Sequence, residues 1–494
     1  MISGPPKRRF LRLKGDAMKI WLSIGISLVS WCGGALAQVQ TDRTGPAAFV
    51  HATVIDGTGA AARPDQTVVV SEDRITVVGP SGKVVIPRGT HIIDATGLFL
   101  MPGLWDAHIH TRYEGFDHLR LLIANGITSA RNMSGPPEHL RELLAWREQI
   151  KKGERVGPRL LTAGPILDGP PSIRPTNVVV NNADEARQAV RRMKADGADF
   201  VKVVDLLSRD SYVAIADEAK AQGLPFVGHV PVDISPGEAS DAGQRSIEHL
   251  DAILWASSTQ EEEIRRRLQA RPRTGAPAPY PVTARLLFDS FSVAKLGALA
   301  DRLKKNQTSV VPTLSLYWGR FDQRSDHSTV AGADRLRYIP AGYLELWKRR
   351  QPPASDEDQR LQLGDCLMAV SELHRRGVTI LAGTDVGVSF QLPGFSLHDE
   401  LSLLVRAGLS TMEVLQAATL NPARAFNLMD QGTIAPGMRA DLVLLDSNPL
   451  KNIDNTRKIR AVVAGGRLFE RKELDTILLD VQRAVSDWTG VPTR

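Results

Sequence analysis

Residues 101–113, MPGLWDAHIHTRY, decide how the rest of the chain is read. An apolar run ends in His108 and His110, at positions i and i+2. On a β-strand two such side chains share one face, about 6.5–7 Å apart along the backbone, so their imidazoles can converge on one cation. Alone the pair is a weak signal, because any strand can contain His-x-His. Its meaning depends on which residues occupy matching positions elsewhere.

Eight apolar segments alternate with helical patterns through the middle of the chain. They are GLWDAHIH (103–110), GITSARNM (126–133), PRLLTAGP (158–165), DFVKVVD (199–205), LPFVGHV (224–230), RSIEHL (245–250), TSVVPTLSL (308–316) and VTILAGTDVG (378–387). Between them lie helix-period stretches such as PEHLRELLAWREQIKKG (137–153). This alternation predicts an α/β fold, a parallel (β/α)8 TIM barrel. Lys202, His229, His249 and Asp385 each fall at or near the C-terminal end of one strand, the face on which such barrels build active sites. Lys202 has two readings: a barrel salt bridge, or a lysine carboxylated by carbon dioxide. A protonated ammonium repels metal ions, so a lysine at a metal site must be neutral or modified. Glu248, next to His249, is expected to point the opposite way and serve packing.

Both flanks differ in character. Residues 47–103 and 432–470 read as short strands with turns, for example QTVVVSEDRITVVGP and GTIAPGMRADLVLLDSNP. They are expected to pair into one small β-sandwich built from both chain ends. The resulting division is 1–37 signal peptide, 38–103 first sandwich part, 104–428 barrel, 429–475 second sandwich part, and 476–494 C-terminal helix or tail. Residues 251–307 and 317–377 read as helical excursions over the barrel mouth. GPPSIRPTN (169–177) reads as a fixed loop beside the site.

The combined pieces resemble the amidohydrolase superfamily, in its imidazolonepropionase-like and Xaa-Pro dipeptidase-like branch. They are MPGLWDAHIH, GADFVKVV, FVGHV, SIEHL, LAGTDVG and ATLNPARAFNL followed by GTIAPGMRADLVLLD, in the family's order. The resemblance covers roughly 47–475. It implies two divalent metal ions, zinc first, with manganese or cobalt as alternatives. It further implies that His108, His110 and Asp385 hold one ion and that His229 and His249 hold the other. Lys202, as a carbamate, would bridge them. The activity implied is cleavage of C–N (amide or peptide) bonds of small substrates by a hydroxide shared between the metals, with Asp385 as proton shuttle. Hydrolysis of cyclic amides, imidazolones or lactones on the same centre is the alternative. A barrel scaffold without turnover is a third reading. No tyrosine closely follows His229 to hold a substrate carboxylate. For substrate contacts the sequence offers Arg131 at the end of the second strand, Tyr317 after the seventh, and His398 after the eighth. The family suggests a homo-oligomer.

Charge and leader complete the reading. The chain has 494 residues and a formal charge of +6. Residues 1–37 hold six basic side chains (Lys7, Arg8, Arg9, Arg12, Lys14, Lys19) against Asp16, and the remainder balances to within one charge. Nothing there points to nucleic acid. The basic stretch precedes the apolar run Ile20–Trp31 and the small-residue site ALA at 35–37, the pattern of an export signal too short to span a bilayer. Either Met1 or Met18 serves as its start. The protein is expected to be secreted or periplasmic, without stable membrane insertion after cleavage. Removal of Cys32 with the leader leaves Cys366 alone and no intramolecular disulfide. Intact mass of the exported protein should therefore correspond to a chain starting at Gln38; an exported form retaining Met1 or Met18 would refute the leader.

Overall fold

The computed structural model describes residues 45–111, 117–172, 174–270, 282–322, 333–349, 356–388 and 390–490. The expected leader with its cleavage site and parts of both long inserts lie outside the described residues.

Seven short parallel strands carry the barrel: β1 (Leu104–Ile109), β2 (Ile127–Asn132), β3 (Arg159–Thr162), β4 (Val201–Val203), β5 (Phe226–Gly228), β6 (Ser246–Glu248) and β7 (Ser309–Val311). β1–β2–β3 form one sheet, and β4–β5–β6–β7 lie side by side in a second. Both sheets are open as strands. Isolated parallel bridges continue the hydrogen bonding from one to the next: Ala163 to Phe200, Val310 to Ile380, and Ile109 to Val386. The eighth expected strand is thus a bridged segment, 378–386. It leaves regular strand geometry where Asp385 adopts φ +61° and its N–H bonds the His108 carbonyl at 2.7 Å. The seventh expected strand, 308–316, is shorter than its apolar pattern. Pro312 has no N–H, Thr313 takes φ +48°, and a helix begins at Leu314. The described parts of both long inserts contain helices, among them Asp251–Ala256, Val293–Lys305 and Asp356–Arg375.

The two flanks meet in one eight-stranded sheet. Phe99–Pro102 pairs antiparallel with Leu442–Leu445 on one side and, through Ala47–Val54, joins the N-terminal strands on the other. Alternation along Leu442–Leu445 explains how the sheet serves two cores. Leu442 and Leu444 face a core shared with Phe49, Val68 and Val70, whereas Val443 and Leu445 join the barrel's main core. The C-terminal helix Arg471–Asp487 is tied back to the barrel's first helix by Arg120–Asp480 at 3.0 Å. No helix of the described residues is long and apolar enough to cross a membrane.

Gly228 sets how closely β5 approaches β4. It has φ +140°, and a Cβ there would lie 2.1 Å from the Val203 carbonyl oxygen. Gly228→Ala should cost about 3 kcal/mol, from overpacking and backbone strain together. Exposed, mid-helix Gly364 has nothing within 4 Å of its would-be Cβ. Gly364→Ala should instead stabilise by about 0.5–1 kcal/mol. Urea midpoints of the two variants check both signs.

Candidate metal centre

β1 brings His108 and His110 to one face, as their spacing requires, with ring centroids 5.4 Å apart. Asp385 arrives from the eighth segment. Its Oδ1 lies 3.2 Å from His108 Nε2 and 3.0 Å from His110 Nε2. Asp106 aligns the two segments by accepting from the His108 N–H, the Thr384 N–H and the Thr384 hydroxyl. Burial raises the Asp106 carboxyl to about 7 despite those donors. Gly387, φ +108°, permits the close crossing: a Cβ there would stand 2.5 Å from the His110 Cβ.

β6 and β5 complete the circle of imidazoles. The His249 ring lies 4.9 Å from that of His108 and 5.0 Å from that of His229, and His249 Nε2 is 4.0 Å from Asp385 Oδ2. Lys202 points inward from β4, 1% exposed, and its Nζ has no hydrogen-bond partner. Burial lowers the Lys202 amine to about 8 against the pull of the Glu248 and Asp385 charges. Burial also holds His249 neutral, well below its ordinary range. For Asp385 burial acts upward, but the neighbouring imidazoles prevail and keep it ionised.

Each of the four histidines is held through Nδ1. The partners are Glu248 for His108 (2.7 Å), Ser134 for His110 (2.6 Å), Asp205 for His229 (2.7 Å) and Thr313 for His249 (2.7 Å). This fixes ring orientation and directs Nε2 toward the centre, as outer partners do at metal sites. One ligand atom each from His108, His249 and Asp385 fall within 4.8 Å of one another. Lys202 Nζ is buried without a hydrogen-bond partner, and His108 Nε2 and Asp385 Oδ1 are buried facing each other. Converging imidazole nitrogens, an ionised carboxylate and a buried amine without a partner fit divalent cations.

Glu248 departs from the sequence expectation. His249 takes φ +66°, which breaks strand alternation and lets consecutive residues both serve the interior. Glu248 is fully buried and accepts from Arg131 Nη2 at 2.7 Å. Arg131 is spent within the barrel: Nη1 donates to Ser246, Nε to the Ala107 carbonyl, and Phe426 covers the guanidinium at 4.6 Å. It does not extend toward a substrate. His398 is also displaced from its expected place at the mouth. Buried, and pushed by that burial down to about 3, it engages Thr456 through Nδ1 and the Asn125 carbonyl through Nε2. Asn125 precedes β2, at the opposite strand end from the metal-type residues. Tyr317 stays close to the centre, its hydroxyl accepting from the N–H of Leu250, the residue after His249, at 3.3 Å. Ser134, Asp205 and Thr313 were not singled out from sequence. Buried charges of opposite sign on two apolar strands, Arg131 and Glu248, were the available signal for that pair.

Comparison with known proteins places this geometry. A model described as "Amidohydrolase family" matches residues 99–469. The imidazolonepropionase of Anaeromyxobacter dehalogenans is 25% identical over 406 residues, 77% of this chain and 84% of that protein. An adenine deaminase of Sinorhizobium fredii is 42% identical over 86 residues, and the match spans 16% of this chain and 14% of the deaminase. Among solved structures, a Xaa-Pro dipeptidase with bound methionine in its active site shares the fold. Its TM-score is 0.62 at 20% identity, over 86% of this chain and 100% of that one.

Glu248→Gln keeps the shape and removes the charge facing Arg131. It should destabilise the protein by about 3–5 kcal/mol and weaken metal binding about 10- to 100-fold. Urea unfolding and competition with a chelating dye measure the two effects; wild-type values in both would sink the positioning role.

Proposed function

Since this chain belongs to the amidohydrolase family, a family of metal-dependent hydrolases of C–N bonds, we propose that it is an exported binuclear enzyme cleaving small amides or dipeptides. On this reading the chain divides into a leader (1–37), a barrel (104–428), a β-domain from both flanks (38–103 and 429–475) and a C-terminal helix or tail (476–494). The observation that carries the reading is a buried cluster inside a ring of Nδ1-anchored imidazoles: Lys202 Nζ, which has no hydrogen-bond partner, and the pair His108 Nε2 and Asp385 Oδ1, 3.2 Å apart.

His108, His110 and Asp385 would hold one cation and His229 with His249 the other, zinc being the first choice for this donor set. Lys202 would bridge them once its neutral amine adds carbon dioxide and releases a proton, giving an anionic carbamate. When bound, the ions supply Lewis acidity toward the scissile carbonyl and a water ionised near neutral pH. The chain's own residues do the rest. Asp385, ionised and 3.0–3.2 Å from two imidazoles, accepts the water's proton and returns it to the leaving nitrogen. An amine anion is a poor leaving group, so that return is needed for an amide.

A second reading, opening of a cyclic amide of imidazolone type, draws on the similarity to imidazolonepropionase over 77% of the chain. Linear and cyclic amides can be compared on the same preparation. Asp385→Asn should lower kcat at least about 10³-fold, equivalent to about 4 kcal/mol of barrier. Lys202→Ala should lower bound metal measured by elemental analysis, and bicarbonate should speed reactivation of the wild-type apoprotein. Absence of metal and of C–N turnover in the wild type would favour the scaffold reading instead.

A further inference from the structure

We propose that Glu400 is a positioning residue for the metal centre: it clamps the turn that ends β7, aims Thr313 at His249, and so sets the metal position shared by His229 and His249. This rests on the two-metal reading above and adds a residue to it. Thr313 carries the strain of that turn. It is β-branched, yet it takes φ +48°, where such residues are rarely found. Its Oγ1 lies 2.7 Å from His249 Nδ1. His249 is itself at φ +66°, and its N–H donates to the Val311 carbonyl at 2.9 Å. A strained pair of this kind persists only where the surroundings hold it.

What holds it comes from the eighth segment. Glu400 is fully buried on the helix Phe395–Arg406. Its Oε2 accepts from the Ser315 N–H at 2.7 Å, and the Leu314 N–H and Ser315 hydroxyl act on the same carboxyl. Leu314 and Ser315 open the helix that directly follows Thr313, so Glu400 fixes the direction in which the chain leaves the strained residue. Buried Gln391 closes the other side, its Nε2 donating to the Ser315 carbonyl at 3.0 Å. The Leu316 N–H returns to the Thr313 carbonyl at 3.0 Å. Gln391 and Glu400 both lie downstream of Asp385, on one connection. That connection thus presents Asp385 to one metal position and braces the histidine of the other. Burial pushes the Glu400 carboxyl up to about 8, so at neutral pH it serves as an acceptor more than as a charge.

The test titrates the full-length apoprotein with zinc against a chelating dye. Glu400→Leu should weaken, about 10- to 100-fold, the same zinc equivalent that His229→Ala weakens, and leave the other within about threefold. Glu400→Gln keeps an acceptor for the two N–H groups and should restore most of the affinity. Thr313→Val should reproduce the selective loss, and the double variant should lose no more than either single one, because both act through one hydrogen bond. In apoprotein with isotope-labelled histidine, the Nδ1 proton resonance of His249 should be lost in Glu400→Leu and kept in Glu400→Gln. Should Glu400→Leu not fold, Glu400→Asp, whose carboxyl falls short of the turn, takes its place with the same losses expected. Equal weakening of both zinc equivalents, losses that add in the double variant, or an unchanged His249 resonance would overturn the assignment. If the wild type binds no zinc, the hydrolase reading falls, and the apoprotein resonance still decides whether Glu400 orients His249.

Discussion

The centre of this molecule depends on one desolvated ionic chain, Arg131–Glu248–His108, running through the barrel interior. Buried charge is costly unless every partner is present, and here both carboxylate oxygens and all three guanidinium nitrogens are occupied. The chain links β2, β6 and β1, three strands far apart in sequence. It fixes the His108 ring before any ion is considered. The remaining imidazoles follow the same logic with weaker partners, hydroxyls for His110 and His249 and the half-exposed Asp205 for His229. The site therefore grades from a rigid, fully buried side at His108 to a more open side at His229, where its side chain is 21% exposed.

The grading runs across the strand ends. Asp385 stands with the rigid pair, 3.0–3.2 Å from His108 and His110. The open side is that of His229 and Asp205, whose side chains are 21% and 54% exposed. In the proposed hydrolase the first side would hold the reacting groups and the second would receive the substrate.

Much of this was legible in the sequence, for physical reasons. A buried parallel strand must be apolar, and a ligand at its C-terminal end stands out against that background, so His108, His110, Lys202, His229, His249 and Asp385 were visible. Glu248 was assigned to the wrong face because alternation holds only while φ stays in the strand region, and His249 leaves it. Ser134, Asp205 and Thr313 were not visible, since pairing between neighbouring strands depends on stagger that no single strand records. His398 looked well placed because it follows the last strand, but the direction of the intervening turn at Gly394, φ +83°, is not written in helix periodicity. At the flanks, pairing of the two ends was readable from their shared strand character. That they merge edge to edge in one sheet was not.

That merged sheet has a consequence for the order of assembly. Pro102, immediately ahead of β1, finds its hydrogen-bonding neighbour only at Leu442. During synthesis the strand Phe99–Pro102 waits for almost the whole barrel to emerge before its edge is covered. Contacts of such separation are slow to form and leave strand edges open to wrong partners. The clasp that locks the barrel to its own beginning is among the last parts of the chain to be made, so the barrel stays unlocked until nearly all of it has been synthesised.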